Sequence, residues 1–249
     1  VRRNLVDARE RSMSMMKARL IGWLGDRVLR TTVVDSVENV GEKFRRITLS
    51  ADWLGEHPIS PGDKAQIFLP DVGTRTYTPY GVDAVAGRFS LLAYVHGNAP
   101  ASEWARALKA GASVRLVGPQ SSTPLASLTG PVALFGDETS LAIARCLEEL
   151  RPLRTGSIVR LEVRSVGDVV DCAATLGLPP ESLVARREDE GHLAGIVNEF
   201  AGALRGGGAV VLTGRAKSIQ KVRALLRDAG LRSHQAVKAY WAENKRGLD

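Results

Sequence analysis

Cysteine is scarce in this chain: 249 residues hold only Cys146 and Cys172, with no C-x-x-C pair and no histidine beside them at zinc spacing. That excludes a disulfide framework and argues against an iron–sulfur cluster. Cys146 lies in an apolar helical pattern and reads as a small buried hydrophobe. Aromatic residues make up 5% of the chain and no basic run is interleaved with them, so a stacking platform for nucleic-acid bases is hard to assemble. No apolar run approaches the ~20 residues needed to cross a bilayer. With no signal peptide evident, the chain is expected to stay in the cytoplasm without stable membrane insertion. The G-x-G-x-x-G dinucleotide fingerprint is missing. No cluster of His, Cys and carboxylates has metal-site spacing, so no metal ligand is expected.

What is present is enough for two domains of ordinary size. Hydrophobic residues at 44% and charged residues at 24% are those of a soluble globular protein. Thirty-four Lys and Arg against 27 Asp and Glu leave a net charge of +7. This balance favours anionic partners: nucleotide phosphates, an acidic metal chelate, an acidic redox protein or nucleic acid.

Residues 1–27, with Leu5, Met13, Met16, Leu20, Ile21 and Leu24 among many charges, predict an amphipathic helix that Gly25 stops. Residues 28–126 read as short strands at 28–34, 44–49, 64–69, 74–78, 88–95 and 113–117, separated by Pro and Gly, with a helix over 102–110. Such spacing predicts a six-stranded antiparallel β-barrel. From 127 to 249 the pattern changes. The continuous apolar run of Pro131 to Phe135 fits a buried parallel strand; strands at 158–163, 209–212 and 236–241 follow, alternating with helices that carry Ile143, Cys146, Leu147, Leu150 and then Ile219, Val222, Leu225, Leu226. That alternation predicts a doubly wound α/β sheet, with the boundary near 124–130.

The stretch around which the rest is organised centres on Arg75-Thr76-Tyr77-Thr78. Strand alternation sends Arg75 and Tyr77 to one face. A guanidinium beside a phenol suits a ligand with both a phosphate and a flat heterocycle, and the main chain at Thr78 can meet the heterocycle's edge. Downstream, Ser102 stands where a helix N-cap belongs, with Glu103 in the first turn, Trp104 and Leu108 on one face and Gly111 past the end. The N–H groups of that helix start would face the same phosphates. Alone, an R-x-Y-T string is also plain strand chemistry.

Taken with the block from His96-Gly97 through Ala101, Ser102 and Trp104-Ala105, and with Gly118-Pro119, the tetrad resembles the FAD-binding domain of the siderophore-interacting proteins. These are a branch of the ferredoxin-reductase-like flavoenzymes. The second half is similar to the same family: Gly136-Asp137-Glu138-Thr139 between a strand and an apolar helix resembles the start of its NAD(P)H domain, and Tyr240-Trp241 its last strand. The likeness spans about 28–241. By itself the G-D-E-T stretch is also a turn with a good N-cap, and Arg164-Ser165 is also ordinary loop chemistry.

The resemblance implies an FAD-dependent NAD(P)H oxidoreductase, with nicotinamide and flavin meeting between the domains and no nucleophile or acid–base triad. It implies FAD contacts at Arg75, Thr76, Tyr77, Thr78, His96, Gly97, Ala101, Ser102 and Trp104. Pyridine-nucleotide contacts are implied at Gly136, Asp137, Glu138, Thr139, Arg164, Ser165 and Gly214. Tyr240 would face the flavin, while Trp241 seals the core. Two departures stand out: Tyr80 replaces a second Arg that many relatives carry, and Arg215 and Lys217 stand where many have an acid. The added positive charge favours NADPH over NADH. The expected acceptor is a ferric siderophore or other anionic ferric chelate, with Lys238, Lys245 and Arg246 as the candidate contacts. A reductase for a ferredoxin, flavodoxin or other organic acceptor, and a non-catalytic flavin- or chelate-binding protein, are the alternatives.

Overall fold

A computed structural model of the chain describes residues 29–69, 73–150, 156–231 and 233–243. The helix expected over 1–27 lies outside the described residues, as do Lys245 and Arg246. The chain divides into two units: 29–38, Arg45–Ile59 and Lys64–Gln120 in the first, and Asn39–Phe44, Ser60–Asp63 and everything from Ser121 in the second.

The first unit is built on a barrel-like antiparallel sheet of β1 (Leu29–Val40), β2 (Phe44–Ser50), β3 (Lys64–Leu69), β4 (Gly73–Tyr77), β5 (Tyr80–Asp83), β6 (Arg88–Tyr94) and β7 (Ser113–Gln120). Their order is β4-β3-β7-β1-β2-β6-β5. Among the described residues the sheet has seven strands where the sequence predicted six. The additional one, β5, follows Pro79, which read as a turn, and contains Gly81; as the end strand it pairs β6 with an irregular register, where such residues are tolerated. Period-two alternation is clear in β3, whose Ala65, Ile67 and Leu69 are buried between half-exposed neighbours. Ile47, Leu49, Ile67, Phe89, Leu91 and Leu116 are completely buried in the core, each such side chain contributing about 1.5–3 kcal/mol.

Among the described residues, this unit has one α-helix, α1 (Pro100–Ala107). It begins two residues before the expected Ser102 cap, because Pro100 occupies the first helical position, where its fixed φ fits and its missing N–H costs nothing. Ala99 is the extended N-cap residue. At the other end the Arg45 guanidinium donates to the carbonyls of Ala105 and Arg106, satisfying acceptors that a helix C-terminus leaves open.

The second unit holds a parallel sheet of β8 (Val132–Asp137), β9 (Ile158–Val163), β10 (Leu183–Ala185), β11 (Ala209–Arg215) and β12 (His234–Trp241), in the order β10-β9-β8-β11-β12. Its helices are α2 (Leu141–Glu149), α3 (Val170–Thr175), α4 (His192–Ala203) and α5 (Ala216–Asp228). Every residue of β8 is buried, the mark of a parallel strand covered on both faces. On one face, Leu193, Ile196, Val197 and Phe200 of α4 and Ile219, Val222 and Leu226 of α5 pack on Ala133, Phe135, Val210 and Leu212. From the central β8 the chain steps outward through β9 and β10, then returns to the other side for β11 and β12. The sheet is therefore doubly wound, and its switch point falls between β8 and β11, where open α/β sheets take ligands beyond their carboxyl ends.

Candidate functional sites

In the first unit Arg75, Thr76 and Tyr77 form the end of β4, at one end of the strand order, and Thr78 follows it directly. Arg75 lies opposite Ile67, and Tyr77 opposite Ala65. The two functional side chains share a face, as alternation requires. Tyr77 packs against the core, its ring 6.1 Å from that of Trp104 on α1. Burial pushes its phenol up to about 12, while the Arg75 charge pulls the other way. Arg75 Nη1 donates to the Thr74 carbonyl at 2.7 Å.

The β6–α1 connection is stitched by Ser102. Its Oγ accepts the His96 N–H at 3.2 Å and donates to the His96 carbonyl at 3.0 Å. Ser102 therefore fixes the loop instead of capping the helix. Arg106 Nη2 donates to the carbonyl of Gly97 at 2.7 Å, and Gly97 turns with φ 56°, open to glycine at no steric cost. The rings of His96 and Tyr94 lie against each other at a tilt, with centroids 4.6 Å apart. In the first turn of α1, Pro100 has no N–H and those of Ser102 and Glu103 donate to the Ala99 carbonyl. Of the first three N–H groups after Pro100, that of Ala101 is the one not turned back to Ala99, and it fits a phosphate. The structure thus brings Arg75, Tyr77, Trp104, Ala101, Ser102, His96 and Gly97 together around one strand end and one helix start. A guanidinium and a helix N–H as donors, with aromatic rings as packing surface, fit a flavin dinucleotide.

In the second unit, Asp137 ends β8 and caps the turn into α2. Its Oδ1 accepts the Thr139 N–H at 2.9 Å and the Thr139 hydroxyl at 2.5 Å, while the Ser140 hydroxyl accepts the Asp137 N–H, a reciprocal capping box. Gly136 is obligatory here, since an added Cβ would lie 2.3 Å from that of Ser140. Glu138 is buried and turns away from solvent: its carboxylate accepts the Arg164 N–H at 2.6 Å and pairs with Arg186 at 3.1 Å. The G-D-E-T carboxylates and both donors of Thr139 are therefore engaged internally, and the turn offers a ligand its shape at the start of α2.

Arg164 is exposed at the end of β9, and Ser165 Oγ accepts the Asp168 N–H. Arg215 is ion-paired with Glu243, and Lys217 with Glu190 at 2.7 Å. Each of these two cations thus already holds a carboxylate of this chain. Lys238 and Tyr240 are half-buried on β12.

Two features escaped the sequence reading. Glu162, 1% exposed on β9, is gripped by Arg186 at 3.3 Å and by His192 Nε2 at 2.8 Å. His192 Nδ1 accepts the Arg187 N–H, which leaves the ring proton on Nε2 to be donated to Glu162. A glutamate inside the apolar string I-V-R-L-E-V was the available signal, because a buried carboxylate requires partners. The second is Trp241, whose indole N–H donates to Asp137 Oδ2 at 2.7 Å; no spacing in the sequence announces it.

A barrel-like antiparallel unit followed by a doubly wound parallel unit is the architecture of the ferredoxin-reductase-like flavoproteins. Phthalate dioxygenase reductase, a modular structure for electron transfer from pyridine nucleotides to [2Fe-2S], has the same fold (TM-score 0.68, 14% identity, 87% of this chain and 70% of that one). The siderophore-interacting protein of Aeromonas hydrophila matches at TM-score 0.67 and 22% identity over 88% of this chain and 93% of that one. A siderophore utilization protein from T. fusca matches at 0.68 and 21%, over 89% and 95%. Residues 70–123 match the siderophore-interacting FAD-binding domain and residues 130–244 the siderophore-interacting protein model. The chain belongs to the siderophore-interacting protein family. Among the described residues, no helix is long and apolar enough to cross a membrane.

Proposed function

We propose that this chain is an NAD(P)H-dependent flavoprotein reductase whose acceptor is Fe(III) held by an anionic siderophore. The observation that carries the reading is the succession, in one chain, of a siderophore-interacting FAD-binding segment and a siderophore-interacting second segment on a reductase fold. Bound FAD would supply the step from a two-electron hydride donor to one-electron acceptors. One NADPH accounts for two Fe(III) reduced to Fe(II), with NADP+ and one proton as the other products. Fe(II) binds hard oxygen chelators less tightly, so the electron itself releases the metal and no protein ligand to iron is needed.

The chain's own residues bind and orient. Arg75 and the Ala101 N–H hold the flavin's phosphates, Tyr77, Trp104, His96 and Gly97 shape its surroundings, and Thr76 and Thr78 meet its edge through the main chain. The G-D-E-T backbone and Gly214 hold the pyridine nucleotide. Arg164 and Ser165 after β9, with Arg215 on β11 and Lys217 on α5, favour the 2′-phosphate of NADPH. A +7 chain also draws an anionic chelate, more strongly at low salt. Lys238, Lys245 and Arg246 are the cations to substitute first for chelate binding.

The test is anaerobic: enzyme, NADPH and a panel of ferric siderophores are mixed with a ferrous-specific dye, and dye colour and flavin reoxidation are followed together. Two Fe(II) per NADPH are expected. Rapid reoxidation by a ferredoxin or a quinone but by no chelate would remove the siderophore and keep the reductase.

A further inference from the structure

Three donors converge on the buried carboxylate of Asp137, which is 0% exposed. Thr139 N–H and Oγ1–H reach Oδ1, and Trp241 Nε1–H reaches Oδ2. Both oxygens must therefore accept. An amide cannot replace this group, because one of its ends is a donor and would meet either Thr139 N–H or Trp241 N–H with an N–H of its own. The neighbouring strand is cut away to admit it: Gly214 has φ 93°, and a Cβ there would lie 2.6 Å from Asp137 Cγ. Over the face of the indole, the Arg215 guanidinium carbon is 5.9 Å from the ring centroid. An irregularity in the β11–β12 ladder brings them together, pairing Gly214 with Ala239 but Arg215 with Trp241. Arg215 is in turn ion-paired with Glu243. An anion holds the edge of the ring and a cation covers its face.

Sealing a core needs no buried carboxylate, and burying one is costly. The location gives the cost a purpose, since Asp137 and Trp241 end β8 and β12 on either side of Gly214, at the carboxyl edge beside the switch point. We propose that Asp137 is a positioning residue that fixes the Trp241 indole as a rigid wall against which the nicotinamide dinucleotide seats. The proposal rests on the reading of the second unit as the NAD(P)H-binding one. In place of a glycine-rich loop, a pinned ring would define that side of the site.

Burial, with a smaller push from Glu138, raises the Asp137 carboxyl to about 6, against the hydrogen bonds from Thr139 and Trp241. Beside the indole stand Arg215, over the ring, and Glu243, which pairs with it; Glu138 is held by Arg186, which with His192 also holds Glu162, and Lys217 pairs with Glu190. Protonation takes away an acceptor position, so the hold on Trp241 weakens as pH falls through about 6.

The experiment compares wild type, Asp137→Asn, Trp241→Phe and the double variant. Tryptophan emission of the protein without pyridine nucleotide is followed from pH 8 to 5, and NADP+ affinity and NADPH steady-state constants are measured together with flavin content. The wild-type minus Trp241→Phe emission should step near pH 6, and the step should vanish in Asp137→Asn. NADP+ affinity should fall on the order of tenfold in each single variant, as for a lost hydrogen bond to a charged group, with KM rising more than kcat falls. The double variant should be no worse than either single one. Trp241→Phe keeps an aromatic six-membered ring and loses the pyrrole half with its N–H donor, so it carries the test if Asp137→Asn does not fold. Unchanged NADP+ affinity in the folded variants overturns the proposal, and so does Trp241 emission indifferent to Asp137. If the wild type keeps its flavin but binds no pyridine nucleotide, the NAD(P)H reading of the unit falls and this proposal with it.

Discussion

The two units arrange their candidate binding residues by opposite means. Around β4 and α1 the polar groups are few, and they are held by main chain and apolar packing: Tyr77 against Trp104 and the core, Ser102 on the His96 backbone, Arg106 on the Gly97 carbonyl. At the carboxyl edge of the parallel sheet, charge holds charge: Glu138 with Arg186, Arg186 and His192 with Glu162, Arg215 with Glu243, Lys217 with Glu190. A cation satisfied by its own chain can serve a phosphate only by exchanging one anion for another. The first unit should therefore bind its ligand by direct contact, and the second by the shape that its internal pairs impose.

The substitution with the largest expected effect strikes that shape. Gly214→Ala forces a Cβ to 2.6 Å from the Asp137 carboxyl carbon at φ 93°, and should cost roughly 2–5 kcal/mol of stability by combining overpacking with left-handed strain. Chemical denaturation would read it, and the flavin content of the folded fraction should not change. Next, Arg75→Ala should leave stability nearly intact while flavin affinity falls by about 1.5–3 kcal/mol, the contribution of a charge-assisted contact. Full flavin occupancy at low flavin concentration would remove Arg75 from the site. The smallest effect belongs to Lys217→Ala. Its side chain is 61% exposed, so its pair with Glu190 contributes little to stability, and the preference for NADPH over NADH should drop by up to about fivefold. Stopped-flow flavin reduction by each cofactor measures it, and equal rates and saturation in the wild type would dispose of the preference itself.

How much the sequence disclosed follows the same division. Alternation in β3 and the all-apolar run of β8 reported their own burial, so the strands they belong to stood out. β5, interrupted by Gly81, and β10, three residues long, carried too little pattern. α4 did carry one, with Leu193, Ile196, Val197 and Phe200 at helical spacing, partly masked by Gly195 and Gly202. The tetrad was legible because a strand places Arg75 and Tyr77 on one face by geometry alone. Ser102 was misplaced as a cap because Pro100, two residues earlier, is the stronger start signal. The Asp137–Trp241 bond joins residues 104 positions apart, and no local rule reaches that far.

The central claim, that this chain is a pyridine-nucleotide-dependent flavoprotein reductase, is tested most directly by the visible spectrum of the purified protein during an anaerobic titration with NADPH. The account predicts a yellow protein whose flavin band bleaches with one equivalent of NADPH and returns when ferric siderophore is added. A protein that remains colourless after reconstitution with FAD, or a yellow one that neither NADPH nor NADH bleaches, would contradict it.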